Sequence, residues 1–119
     1  MAVFDNTGIW NEWSTHGFTL FYSKGFARGS DYASLLNKWT HVVGVRQGNT
    51  LKIYEDGIEK NLVSNSNIGA YSVSSSTSAS IGRTLCSNNI FFKGKIDEFS
   101  VYNRALTADE IKQHYESTK

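Results

Sequence analysis

The chain has 119 residues, a net charge of +1, one cysteine and no proline. That length suits one domain, residues 1–119, with a core that needs no disulfide or metal staples. Near-neutral charge without a basic cluster excludes the electrostatic footprint of a nucleic-acid binder, Cys86 alone excludes an internal disulfide or a multi-cysteine metal site, and no apolar run reaches bilayer length.

Residues 17–23 alternate Phe18, Leu20 and Tyr22 against Thr19, Phe21 and Ser23, which predicts a strand with apolar residues on both faces. The next expected strand is 39–46, with Trp39, His41, Val43 and Val45 on one side and Thr40, Val42, Gly44 and Arg46 on the other. Residues 51–55 and 58–63 are expected to pair across Asp56-Gly57, two residues that tolerate positive φ and so favour a type I′ turn. With ten glycines and no proline, turns must be built from Gly, Asn and Asp. Residues 64–80 are serine-rich and read as loop, interrupted by a brief strand around Ile68, Tyr71 and Val73. A further strand is predicted at 79–84 and a turn at 86–89. Residues 90–93 then run through Gly94 into a last strand at 95–102.

Beyond this strand the period changes. Asn103, Arg104 and Ala105 break the alternation, and Thr107 opens a short helix. Its hydroxyl is placed to accept the free amide of Glu110, whose carboxylate reaches back to the amide of Thr107, while Leu106 packs on Ile111. Ile111 and Tyr115, four residues apart, form an apolar face, and a helix this short persists only by docking such a face. Short strands at turn-separated intervals, closed by one helix, predict an all-β antiparallel sandwich.

The run from Phe91 to Tyr115, FFKGKIDEFSVYNRALTADEIKQHY, resembles the C-terminal signature of the laminin-G-like, concanavalin A-like jelly rolls. In those domains a glycine, an Ile-Asp-Glu strand, an Asn-Arg-Ala-Leu corner and a helix end the fold. Upstream, Trp39-Thr40-His41-Val42-Val43-Gly44-Val45 is similar to the family's Trp-x-His-Val strand. Residues 51–57 resemble its strand entering an Asp-Gly turn, and Ile81-Gly82-Arg83 its next short strand. The similarity follows the family's order over roughly the last two thirds of the chain, and residues 1–35 match only loosely. It implies a jelly roll reduced at its N-terminus and an extracellular or periplasmic setting, although residues 1–10 lack the basic and apolar regions of a signal peptide. A sheet without its outer strand exposes backbone groups that invite pairing. Either residues 1–13 cover that edge, or two copies join edges as a homodimer.

Relatives of this fold include glycan-cleaving enzymes, which place acids at alternate positions of one strand. Retaining hydrolysis needs two carboxyl groups about 5 Å apart. No such alternation occurs: Asp97 and Glu98 are adjacent and a strand sends them to opposite faces, Glu55-Asp56 lies at a turn, and Asp109-Glu110 opens the helix, where negative charge suits the dipole. The expectation is a non-enzyme. Asp97 falls in phase with Phe99 and Val101, on the side expected to face the core, so it needs a partner. The resemblance implies that it helps hold a structural Ca²⁺, which takes about 6–8 oxygens. Hydrogen bonds from backbone amides or from Arg104 are the alternative, with no cofactor required. His16, His41 and His114 lie in different elements without zinc spacing, and His41 is expected to satisfy its ring nitrogens within the sheet.

Aromatic residues offer the functional lead. Trp10, Trp13 and Tyr32, interleaved with Arg28 and Asp31, combine flat apolar rings with groups that bind hydroxyls, as a carbohydrate site requires. Trp39 belongs to the resembled strand and is expected to be structural. The residues together predict a non-catalytic recognition module for a glycan, against the alternative of a protein-interaction or structural domain whose aromatics fill core and dimer interface.

Overall fold

The computed structural model describes residues 19–22, 25–30, 32–60, 63–65, 81–82 and 94–118. Among these, the strands run β1 (Thr19–Tyr22), β2 (Gly25–Arg28), β3 (Val42–Gln47), β4 (Thr50–Glu55), β5 (Ile58–Glu59) and β6 (Val63–Asn65), followed by the helix α1 (Ala108–Thr118). A single 3-10 turn, Tyr32–Leu35, interrupts the path from β2 to β3. Two three-stranded antiparallel sheets result, ordered β1-β2-β6 and β3-β4-β5.

The β3–β4 hairpin organises the core. Its register pairs Val43 with Tyr54 and Val45 with Lys52 on one face, and Val42 with Glu55, Gly44 with Ile53 and Arg46 with Leu51 on the other. Cross-strand partners share a face, so each side of the hairpin carries its own apolar set. Val43, Val45 and Tyr54 meet Ile111 of α1, with Ala105 and Leu106 packed against them. The opposite face, with Leu51 and Ile53 buried, lies on the side where β4 packs against β1 and β2 of the second sheet. Burying a side chain such as Ile111 contributes about 1.5–3 kcal/mol, which is what holds a helix too short to persist alone.

The capping motif forms as its residues predict. Glu110 N–H donates to Thr107 Oγ1 at 3.2 Å and Thr107 N–H donates to Glu110 Oε2 at 2.8 Å, while Leu106 and Ile111 pack in one cluster. Arg104 adds a two-pronged ion pair to the same carboxylate, at 2.9 and 2.6 Å. The Asp56-Gly57 link also forms, with both residues at positive φ, 51° and 77°. Gly57 is doubly constrained, because a Cβ there would lie 3.2 Å from the ring of Tyr115.

Several expectations are corrected. The pairing partner of β4 stops at Glu59, and Val63–Asn65 instead joins β2 in the other sheet, so residues 58–63 are not one strand. Gly25–Arg28, unassigned from its pattern, pairs with β1. The strand expected at 39–46 begins at Val42, leaving Trp39 outside it and 59% exposed. Residues 95–102 belong to no ladder: Glu98 adopts φ 50°, which turns the chain in mid-segment and destroys the period-two alternation. Phe99, Val101 and Tyr102 are exposed in consequence, and so is Asp97. The strands and loops expected at 68–73, 79–84 and 86–93 lie wholly or almost wholly outside the described residues.

Candidate functional site

Between Arg28, the last residue of β2, and Val42, the first of β3, the connection carries the 3-10 turn Tyr32–Leu35. It is fixed at both ends by two adjacent carboxylates at the end of β4. Ser30 N–H donates to Glu55 Oε1 at 2.9 Å, and His41 N–H donates to Asp56 Oδ1 at 3.0 Å. Asp56 N–H returns a bond to the carbonyl of His41 at 2.8 Å, closing a reciprocal pair. Glu55 is buried, and Gly29 lies so tightly against it that any Cβ there would collide with Oε1. A side chain at position 29 would have to displace this carboxylate from the Ser30 amide.

Within the loop, Leu35 is buried and acts as an apolar plug. Asn37 takes a left-handed conformation, φ 57°, which asparagine tolerates better than most residues, and the turn it makes leaves Asn37, Lys38 and Trp39 exposed. The chain then dives inward. Thr40 is wholly buried and His41 nearly so.

His41 does not satisfy its ring nitrogens, contrary to expectation: Nδ1, Nε2 and the neighbouring Thr40 Oγ1 are buried without a hydrogen-bond partner. Its ring instead packs on Tyr115 at 5.8 Å between centroids. Burial holds the imidazole pKa below its ordinary value, opposed by the attraction of Asp56 and reinforced by the nearby His114. The ring is therefore carried as the neutral form. On the outside of the helix, Tyr102 and His114 stack in a tilted pair at 5.9 Å.

Several of the described carboxylates have structural partners. Glu55 and Asp56 clamp the loop, Glu59 accepts bonds from Lys52 at 3.0 Å and Tyr54 at 3.2 Å, and Asp97 Oδ1 accepts the amide of Glu98 at 2.8 Å. Arg104, considered as a partner for Asp97, is bonded to Glu110 and holds that carboxyl down to about 2, assisted by the Thr107 amide. Asp97 thus accepts the amide of its neighbour. Among the described residues no three His, Cys, Asp or Glu side chains group to hold an ion.

Of the sequence-predicted site residues, Arg28 closes β2 and Tyr32 opens the 3-10 turn, so the fold brings both onto the clamped loop. Trp10, Trp13 and Asp31 lie outside the described residues. Trp39, expected to be structural, is instead exposed. The signal that could have found it is its position directly after Asn37-Lys38, a polar pair suited to a turn, where strand alternation had no reason to hold.

No curated protein sequence matches the chain. Its fold is similar to the crystal structure of an S-layer domain-containing protein, residues 221–444, from Clostridium thermocellum ATCC 27405, with a TM-score of 0.57 and 18% identity. That likeness covers 90% of this chain and 66% of the other, and at such identity it speaks for fold alone. A laminin-G-type family model, described as the Concanavalin A-like lectin/glucanases superfamily, matches residues 2–112. The match takes in the Trp39 strand entry, the Asp56-Gly57 turn and the Thr107 cap together, and the chain belongs to the concanavalin A-like lectin/glucanase superfamily.

Proposed function

We propose that this chain is a non-catalytic recognition domain of jelly-roll architecture, placed at the cell surface or outside the cell, whose ligand is carbohydrate. The superfamily contains both binders and hydrolases, so the choice turns on the carboxylates. The observation that carries the reading is that, among the described residues, Glu55, Asp56, Glu59, Asp97 and Glu110 each hold an amide, an ammonium or a guanidinium. General acid–base cleavage needs one carboxyl group free to give a proton and another free to attack or to activate water. Acids spent on clamps and caps support holding a ligand over cutting it. The surface location is carried into this proposal by analogy with the neighbour's description as an S-layer domain-containing protein.

The binding residues in this reading are Trp10, Trp13, Arg28, Asp31 and Tyr32, with Arg28 at the end of β2 and Tyr32 at the start of the 3-10 turn. Screening the domain on a glycan array, beside Trp10→Ala and Trp13→Ala, tests it: selective signals that weaken in the variants support the assignment. Release of reducing ends from any bound polysaccharide would count against a non-catalytic role.

A second reading, assembly of two copies through an exposed edge, is favoured by one observation. Phe99, Val101 and Tyr102 are 47%, 81% and 43% exposed on a segment outside every ladder. An exposed apolar strip of this kind is a surface that a second copy can cover. Light scattering at micromolar concentration separates the two readings, since a monomeric mass removes the second.

A further inference from the structure

At residues 39–41 the usual order of burial is inverted. Trp39, the largest apolar side chain of the loop, is 59% exposed, while Thr40 and His41 directly after it are buried with three polar atoms unpartnered. Buried polar groups and exposed large apolar groups are the two informative departures from ordinary burial, and here they sit side by side. A loose loop does not account for the exposure. The backbone immediately after Trp39 is pinned by the paired bonds between His41 and Asp56, and Leu35 anchors the loop four residues before it. The indole is held outward on a rigid root.

We propose that Trp39 is the stacking surface for a pyranose ring, with Asn37 and Lys38 on the same turn contacting the ring substituents. The inference rests on the carbohydrate reading above and adds to it a residue not among those assigned there. An indole face matches the C–H face of a sugar, and a rigid ring loses little conformational freedom on binding. Asparagine supplies both a donor and an acceptor for a hydroxyl pair, and lysine a donor that also suits a uronic carboxylate. The surroundings favour sugar over a protein partner. Of the three exposed residues directly before this indole, Leu36, Asn37 and Lys38, two are polar, whereas a protein interface draws on a wider apolar core such as the Phe99, Val101 and Tyr102 strip offers elsewhere.

The test is calorimetric and fluorescence titration of the whole chain with cellohexaose, mannohexaose, xylohexaose and hexagalacturonate, chosen from array positives where these differ. The arms distinguish neutral from acidic rings. In the proposal Trp39→Ala weakens binding about tenfold or more, while Trp39→Phe, which keeps a flat ring, stays within a few-fold of wild type. Both variants keep the wild-type melting temperature because the side chain is exposed, and Asn37→Gly, which keeps the left-handed turn while removing the amide, provides a second loss of affinity should Trp39→Ala fold poorly. Wild-type affinity in Trp39→Ala, with loss in Trp10→Ala or Trp13→Ala, overturns the role of Trp39 and leaves the carbohydrate reading standing. Absence of wild-type binding to every saccharide overturns both. A concentration-dependent dimer abolished by Trp39→Ala, without sugar binding, assigns the indole to a contact between copies and likewise overturns the proposal.

Discussion

Glu55 and Asp56 are neighbours in sequence and hold opposite ends of one loop, Glu55 accepting the amide of Ser30 at 2.9 Å and Asp56 that of His41 at 3.0 Å. The division follows from geometry. Glu55 is the last residue of β4 and points to the inner face with Ile53, while Asp56 has already entered the turn at φ 51°. One tight hairpin thereby anchors the connection that carries Arg28, Tyr32 and Trp39, and rigidity of this kind is what a recognition loop needs to bind without a large ordering cost.

Removing the buried clamp costs stability. Glu55→Ala leaves the part-buried Ser30 amide without its acceptor and is expected to lower unfolding free energy by about 1–3 kcal/mol in urea titration. Glu55→Gln keeps an acceptor oxygen and loses less. An unchanged urea midpoint in Glu55→Ala would show that the clamp contributes nothing.

His41 makes stability depend on pH in a defined direction. Its folded pKa lies below the ordinary 6.5, so the unfolded chain takes up the proton first. The contribution of the neutral ring is fully present above about pH 6.5 and is lost as pH falls through the lower folded value. His41→Phe keeps a ring against Tyr115 and removes two unpartnered nitrogens. Urea denaturation at pH 7.5 and pH 5 is expected to show a smaller acid-side loss in the variant than in wild type; equal losses would exclude His41 as the source.

The helix cap has its own titration. Arg104 and the Thr107 amide hold Glu110 near 2, below its ordinary 4.5, so its contribution is present above pH 4.5 and disappears as pH falls towards about 2. Carboxyl-carbon NMR of Glu110 is expected to give a midpoint near 2 that moves up towards 4.5 in Arg104→Ala. Thr107→Ala removes the cap oxygen and should destabilise the domain by about 1 kcal/mol. A midpoint already at 4.5 in wild type contradicts the ion pair.

Calcium is expected to leave the domain unchanged. Asp97 is exposed, its Oδ1 is engaged by the Glu98 amide, and no carboxylate cluster accompanies it among the described residues. Millimolar calcium should produce no rise in melting temperature, and Asp97→Asn should melt within about 0.5 kcal/mol of wild type. A calcium-dependent rise that vanishes in Asp97→Asn would restore the metal reading.

The features legible in the chain are those settled within a few residues. Thr107 and Glu110 meet across one helical turn, Asp56-Gly57 bends on its own φ preferences, and Ile111 presents its face at helical spacing, so each was readable from spacing alone. The resemblance extended this to the superfamily, because its motifs are such local pieces in a set order. Arg28 and Tyr32 were readable as candidates by residue type, but their shared place on a clamped loop was not.

What spacing could not convey depends on partners far along the chain. Val63–Asn65 has strand character in either sheet, and only competition between β2 and β4 for its backbone sends it across. Residues 95–102 alternate as a strand should, yet the left-handed turn at Glu98 and the absence of any ladder leave Phe99 and Val101 outside. Trp39 looks like a core residue until Asp56, fifteen residues away along the chain from His41, draws the next backbone amide inward and leaves the indole in solvent. Periodicity reports which residues share a face; which face is covered is set by contacts that close only when the whole domain packs.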